Sequence, residues 1–253
     1  MIIGISQLAF ENNQDLIENL NILSESDIKT VEVVFAKFKN NIEMMDFKDK
    51  LNLHGIKTLS AQSILFDSNV KDLTEDSFYN HIKIIIEKSK IADVNTLVLG
   101  SPKTRNVLDL PRLIKIFKNI DSLLQDNNKI LCIEPNCKQY GGKYFFNLDE
   151  ICDFIYTNKF KNIKSMIDTH NLINENIDIC KTFIDHIEYI HHVHISENQL
   201  SKFNLSLSHN DFYKTLLENK YKNIVTYEVL SKYFCNKSMK NFVNTYRGER
   251  ING

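Results

Sequence analysis

Four ionisable residues each lie at or near the end of a short apolar run in the second half of the chain: Glu134, Asp168, His194 and Glu228. An acidic side chain beside an apolar core is costly unless its charge is compensated. Three converging carboxylates would repel one another, and a divalent cation is the simplest relief. This ligand set suits Mn²⁺, Mg²⁺ or Co²⁺ with positions open for substrate oxygens, whereas Zn²⁺ more often recruits extra histidines or cysteines. The pattern therefore predicts a site for one divalent metal ion.

The elements that must position these residues alternate between β-branched runs and amphipathic stretches. Eight runs are predicted as strands: residues 2–6, 30–35, 58–63, 96–100, 130–134, 164–168, 190–196 and 224–229. Their near-continuous Val, Ile and Leu content is typical of parallel strands that are covered on both faces. Eight βα units without a linker or a low-complexity insert predict one α/β domain over residues 1–253, a (β/α)₈ TIM barrel.

Functional residues of such barrels lie at the carboxyl ends of the strands. Strands five to eight would therefore present the four ionisable residues at one edge of the barrel. Any one of them alone is more typical of a salt-bridge partner at the barrel rim, and it is their occurrence on four successive strands that favours a site. His192, which precedes His194 by two residues, is expected to point away from the site, towards the helices.

The composition excludes several classes of protein. The chain has 253 residues, with 31 basic side chains against 32 acidic ones. This balance argues against a nucleic-acid binder that acts through broad electrostatics, because such proteins usually carry a basic excess. No membrane span or secretory signal is expected, since no long apolar window or basic leader is present. The five cysteines are scattered and never spaced as CxxC, which is typical of free thiols in a reducing cytoplasm.

The segments around the four residues resemble a known group of proteins. The resemblance is carried by Ile133-Glu134-Pro135-Asn136, Ile167-Asp168-Thr169-His170, residues 192–198 and Tyr227-Glu228. These segments resemble the metal-site motifs of the xylose-isomerase-like barrels. That superfamily includes sugar and sugar-phosphate isomerases and epimerases, inosose dehydratases and endonuclease IV. Residues 31–33 and 61–63 resemble its second and third strands, so the resemblance spans the whole chain.

The resemblance implies roles for the four residues. Glu134, Asp168, His194 and Glu228 would bind the metal, and Glu134 and Glu228 would also be catalytic. One glutamate would remove a proton from the carbon next to a carbonyl and the other would return it, while the metal polarises that carbonyl. The expected ligand is a small-molecule sugar or sugar phosphate, and the resembled family commonly forms homo-oligomers.

Six further residues are expected to contact the substrate: Gln62, Lys103, Arg105, His170, Glu197 and Lys202. His170 comes two residues after Asp168, whereas ketose 3-epimerases place a substrate-binding histidine three residues after this aspartate. Those epimerases also have an arginine shortly after the metal histidine, and here Lys202 is the available substitute, which argues against a free ketohexose. Lys103 and Arg105 follow the fourth predicted strand and could hold a phosphate or carboxylate, with arginine binding it bidentately. These residues favour a phosphorylated or acidic sugar.

Three alternative functions stay open from the sequence. Endonuclease IV needs further histidines on the third and fourth strands, where this chain has Gln62, Ser63 and Gly100, so DNA repair is disfavoured. A dehydratase that acts on an inosose or a dehydroshikimate-like ring would use the same metal and the same proton abstraction. A non-catalytic sugar-binding barrel is the third alternative, although binding alone does not require two opposed glutamates.

Overall fold

Eight parallel strands close into a barrel in which each strand pairs with the next and the last pairs with the first. The computed structural model describes residues 1–65, 74–100, 109–136 and 141–248. The strands are β1 Ile2–Ser6, β2 Thr30–Val34, β3 Lys57–Gln62, β4 Thr96–Leu99, β5 Ile130–Ile133, β6 Ile163–Asp168, β7 Ile190–Ser196 and β8 Ile224–Glu228. The predicted (β/α)₈ TIM barrel is confirmed.

Helices surround the barrel on its outer face. Within the described ranges they are α1 Asn13–Glu18, α2 Leu20–Glu25, α3 Asn41–Leu53, α4 Glu75–Ile91, α5 Leu110–Asp126, α6 Leu148–Asn158, α7 Thr169–Asn174, α8 Ile179–His186, α9 Leu207–Glu218 and α10 Asn236–Arg247. Side-chain caps fix several of their starts. The Asn147 side chain accepts a hydrogen bond from the amide of Glu150 and so begins α6, because this cap satisfies an amide that has no partner within the helix. Among the described residues, no helix is long and apolar enough to cross a membrane.

The main hydrophobic core lies between the sheet and the helices. An aromatic cluster shows how it is packed: the Phe117 ring of α5 lies 5.5 Å from that of Phe154 on α6, centroid to centroid, and 6.4 Å from those of Phe145 and Phe160. All four side chains are buried. Burying one such side chain contributes about 1.5–3 kcal/mol. This layer fixes the helices against the strands and thereby holds the strand ends in place.

The barrel interior contains charged and polar residues. Glu32 of β2 lies 2.7 Å from both His192 and His194 of β7, measured from carboxylate oxygen to Nε2. Because β1 and β8 separate β2 from β7 in the ring, these side chains meet inside the barrel. The expectation that His192 faces the helices is therefore wrong. Residues two apart on a strand share a face, so His192 lies on the same side of β7 as His194.

Candidate metal centre

The structure brings the four predicted ligands together at the carboxyl ends of the strands. One ligand atom from each of Glu134, Asp168, His194 and Glu228 lies within 4.8 Å of the others. The sheet register explains this, because Asp168 pairs with His194 across β6 and β7 and Ser196 pairs with Glu228 across β7 and β8. The imidazole is central: its Nδ1 lies 3.3 Å from Glu228 Oε2 and 4.0 Å from Glu134 Oε1.

Asp168 is held by the start of α7 and by the end of β7. It is both the last residue of β6 and the N-cap of α7, where its Oδ1 accepts a hydrogen bond from the Asn171 amide at 3.1 Å. The same oxygen accepts a hydrogen bond from Ser196 Oγ at 2.6 Å. These two bonds fix the carboxylate plane, as the partners around a metal-binding carboxylate commonly do.

Glu134 lies just past the last residue of β5, and its position depends on the neighbouring strand end. A Cβ on Gly100, the residue after β4, would lie 2.3 Å from Glu134 Oε2. The carboxylate therefore occupies space that glycine alone leaves free. The first residues after β5 are held by two hydrogen bonds: Asn136 Nδ2 donates to the Glu134 carbonyl at 2.9 Å and Asn171 Nδ2 donates to the Pro135 carbonyl at 2.7 Å.

His194 is contacted on both ring nitrogens by carboxylates. Burial alone would lower the pKa of His194, but the charges of Glu32 and Glu228 outweigh it and raise that pKa well above its usual value. Burial likewise favours neutral Glu32, but His194 and His192 outweigh it and hold the pKa of Glu32 well below its usual range. The pKa of His192 is lowered by burial, against the opposing effect of Glu32. In the absence of a cation, the positive charge of this group therefore lies on His194.

The donor set fits a divalent cation. Asp168, His194 and Glu228 are buried, and the side chain of Glu134 is 16% exposed. Among the described residues, no hydrogen-bond partner with ordinary geometry is found for the buried Nδ1 of His194. Three carboxylates beside one imidazole leave a net negative charge in a largely dry site, which is costly without a cation. Oxygen ligands with one imidazole suit Mn²⁺, Mg²⁺ or Co²⁺.

Two of the predicted substrate contacts follow β6 and β7 directly, His170 in α7 and Glu197 just after β7. His170 is buried near Asp168, and its Nε2 lies 3.0 Å from Asn174 Nδ2. Glu197 follows β7, and its Oε1 accepts hydrogen bonds from the His209 ring at 3.0 Å and from a backbone amide of the same loop at 2.9 Å. The Glu197 carboxylate thus stabilises the loop, and its contact with substrate stays a prediction.

The remaining predicted contacts are placed differently. Gln62 is the last residue of β3, is buried, and donates a hydrogen bond to Ser6 Oγ at the end of β1. Lys202 is exposed in the segment after β7. Lys103 and Arg105 lie outside the described residues. Substrate contact by each of these residues stays a prediction.

Sequence reasoning missed the part that Glu32 plays at this site. Glu32 is fully buried and forms the inner partner of His194, although 162 positions separate the two residues in the chain. Nothing in the local sequence around Glu32 indicates that pairing. The position of His192 could have been found, because the alternation of a strand places it on the face of His194.

Comparisons with known proteins give matches in structure. No protein-family model and no curated protein matches the chain. D-psicose 3-epimerase from Clostridium cellulolyticum H10 matches with a TM-score of 0.74 at 14% identity, over 98% of both chains. An AP endonuclease of family 2 from Brucella melitensis matches with a TM-score of 0.77 at 15% identity, over 95% of this chain and 97% of its own. A probable 3-DHS dehydratase from Bacillus anthracis matches with a TM-score of 0.71 at 9% identity, over 98% and 99%.

At these identities the likenesses show the fold. They confirm the (β/α)₈ barrel fold that the resemblance implied. Several of the other matching structures are also sugar epimerases, among them an L-ribulose 3-epimerase and a D-allulose 3-epimerase. The structural neighbours of the chain therefore include sugar epimerases, a probable dehydratase and an AP endonuclease.

Proposed function

We propose that the chain is a divalent-metal-dependent isomerase or epimerase of a sugar or sugar phosphate. The observation that carries the proposal is the convergence of Glu134, Asp168, His194 and Glu228 within 4.8 Å. The sugar epimerases among the structural neighbours support the same class of reaction. A binding protein would not need two glutamates beside one potential metal ion, whereas a reaction that moves a proton on and off carbon does.

The two glutamates would move the proton. Glu134 and Glu228 reach the imidazole of His194 from different strands, with carboxylate oxygens 4.0 Å and 3.3 Å from Nδ1. A substrate whose carbonyl is next to a C–H bond and lies between them would lose its proton to one carboxylate and regain it from the other. A divalent ion held by the four side chains would polarise the carbonyl and stabilise the negative charge that forms there. The partial burial of both glutamates limits competition from water.

Exchange of substrate hydrogen with solvent tests this function. Purified protein is loaded with Mn²⁺, Mg²⁺ or Co²⁺ and incubated in D₂O with a panel of ketoses and ketose phosphates. Deuterium incorporation next to the carbonyl is then measured by NMR. Glu134→Gln and Glu228→Gln should each reduce incorporation by at least about 100-fold, because a general base contributes about 10²–10⁴-fold. Glu175→Gln, at an exposed glutamate next to α7, is the matched control. Unchanged exchange in both site variants would end the proposal.

A dehydratase is the second candidate function. The match to a probable 3-DHS dehydratase supports this candidate. A lyase would begin with the same proton abstraction as an epimerase and would then expel a β-hydroxyl group. The exchange experiment separates the two reactions: loss of water from the substrate indicates the lyase, and exchange without loss indicates the epimerase or isomerase. Neither metal binding nor exchange would be expected of a sugar-binding barrel.

The substrate class depends on three cationic side chains that follow the fourth and seventh strands in the sequence. Lys103, Arg105 and Lys202 would bind a phosphate or carboxylate group, since cations are the usual recognition groups for such anions. Replacing Lys103 and Arg105 together by alanine should raise KM for a ketose phosphate much more than for the free ketose. A DNA substrate is disfavoured by the net charge of −1, and an assay for cleavage of abasic DNA checks this expectation against the endonuclease match.

A further inference from the structure

Glu32 and His192 form a buried pair directly behind His194, inside the barrel. Glu32 Oε1 lies 2.7 Å from His194 Nε2, and Glu32 Oε2 lies 2.7 Å from His192 Nε2. Glu32 and His192 are fully buried, and His194 is 1% exposed at its side chain. An isolated charge at such a place would be strongly destabilising, so the pairing is a built feature of the interior.

The contacts determine which ring nitrogen of His194 carries a proton. An ionised carboxylate accepts hydrogen bonds and donates none, and a neutral imidazole has one N–H group and one lone pair. The nitrogen that faces Glu32 is Nε2, so this atom must be the donor. The lone pair of a neutral His194 then lies on Nδ1, which faces Glu228 and Glu134. His192 Nε2 lies 2.7 Å from the second oxygen of Glu32, within ion-pair distance.

We propose that Glu32 is the positioning residue of the metal centre: it fixes the Nε2–H form and the ring orientation of His194, so that Nδ1 is presented to the cation. The inference rests on the proposed function insofar as that function requires the metal centre. Removal of a carboxylate that holds a metal-binding histidine in this way typically weakens metal binding by about 10–100-fold.

A second cation between Glu32, His192 and His194 is the competing interpretation of the same cluster, because their ligand atoms also lie within 4.8 Å of one another. The distances disfavour it. Ligand atoms around a tetrahedral ion with bonds of about 2.1 Å are separated by about 3.4 Å, whereas Glu32 lies 2.7 Å from each histidine nitrogen. For His194 this separation is that of a charge-assisted hydrogen bond.

Metal affinity and imidazole NMR of Glu32→Gln test the proposal. Glutamine keeps the shape of the side chain but removes the negative charge that holds the Nε2–H group of His194 in a charge-assisted hydrogen bond. We expect the Kd for Mn²⁺, measured by competition with a chromophoric chelator, to rise at least about tenfold. In full-length protein with ¹⁵N-labelled histidine, metal-free or loaded with diamagnetic Mg²⁺, wild type should show a strongly downfield Nε2 proton for His194, and E32Q should lose this signal.

Ser60→Ala is the matched control. Ser60 lies beside Glu32 in the pairing of β2 with β3 and is equally buried, so S60A should leave both the Kd and the NMR signal unchanged. If E32Q fails to fold, Glu32→Asp takes its place, since aspartate withdraws the carboxylate by one methylene and should meet the same tenfold criterion.

The possible outcomes are distinguishable. A Kd for Mn²⁺ in E32Q or E32D that stays within about twofold of the wild-type value overturns the positioning role. If wild type binds two Mn²⁺ ions and the variant binds one, Glu32 is a ligand of a second ion, and the positioning role is also overturned. If wild type binds no metal ion, the proposed function fails, and the NMR signal alone decides whether Glu32 fixes the proton on Nε2 of His194. Its persistence in E32Q would then overturn the inference.

Discussion

Gly100 offers a way to displace one ligand carboxylate without changing its chemistry. A Cβ on this residue would lie 2.3 Å from Glu134 Oε2, whereas carbon and oxygen atoms in contact are about 3.3 Å apart. Gly100→Ala should therefore push the carboxylate by about 1 Å. Because the φ angle of Gly100 is not in the left-handed region, alanine fits the backbone and the perturbation falls on Glu134.

The expected effect is large for activity and small for stability. Misplacement of a reacting group by about 1 Å can reduce a rate by about 100-fold, which corresponds to about 2.7 kcal/mol of activation free energy. We expect G100A to lower the rate of solvent deuterium exchange by about this factor and to raise the Kd for Mn²⁺. The free energy of unfolding of the metal-free protein, measured in urea, should change by less than about 1 kcal/mol.

Gly55→Ala is the control, because it should lower the stability of the protein and leave the site unchanged. Gly55 has a φ of +71° and open space around its Cβ position, so alanine there strains the backbone by about 1–2 kcal/mol without touching the site. G55A should lose stability and keep its metal affinity and exchange rate. If G100A keeps both metal affinity and exchange rate, the inferred contact between Gly100 and Glu134 does not govern the site and the reasoning is wrong.

Three further predictions follow from the site and its surroundings. Ser196→Ala removes the donor to Asp168 Oδ1 and should weaken Mn²⁺ binding by about tenfold in the chelator competition; unchanged affinity would contradict this. Mn²⁺ at about 100 times its Kd should add about 2.7 kcal/mol of stability, seen as a rise in Tm of roughly 5–10 °C that EDTA reverses, and no shift would count against the metal site. Burial lowers the pKa of His191 to about 4, below its unfolded value of about 6.5. Because the unfolded chain then binds a proton at His191 more readily than the folded protein, the free energy of unfolding falls as the pH drops from about 6.5 towards 4. His191→Gln should reduce the loss of stability between pH 7 and 4.5 by about 1–2 kcal/mol in urea titrations, and an unaltered pH profile would refute the assignment.

The strands could be predicted because their apolar runs are nearly continuous, but five of the eight end one residue earlier than predicted. Residues 96–100 and 130–134 are predicted as the fourth and fifth strands, whereas β4 ends at Leu99 and β5 at Ile133. Gly100 and Glu134 lie just beyond the strands, where the chain leaves the sheet towards the loops. Residue type does not report where strand pairing stops, and both of these residues belong to the site.

The metal ligands could be predicted because each lies next to an apolar strand, and because the fold brings the carboxyl ends of these strands together. Successive parallel strands bring their carboxyl ends to one edge, so Glu134 and Glu228 need no long-range information to be placed together. Glu32 differs, because the path from β2 to β7 around the ring crosses the pairing of β1 with β8 that closes the barrel. Such a contact depends on the closure and register of the whole sheet, which no local pattern encodes.

The distribution of polar residues inside the barrel supports a functional origin for the Glu32 pair. The interiors of such barrels are usually filled by branched apolar side chains, and here Val98, Cys132 and Met166 form an apolar cluster of that kind. On β2 and β7, Glu32 and His192 replace such residues. A buried ion pair is often no more stabilising than apolar side chains of the same volume, so stability alone does not account for the pair. Positions that break the rule for a core are expected where function requires it, and this pair lies directly behind the histidine that the proposed metal centre needs in one proton form.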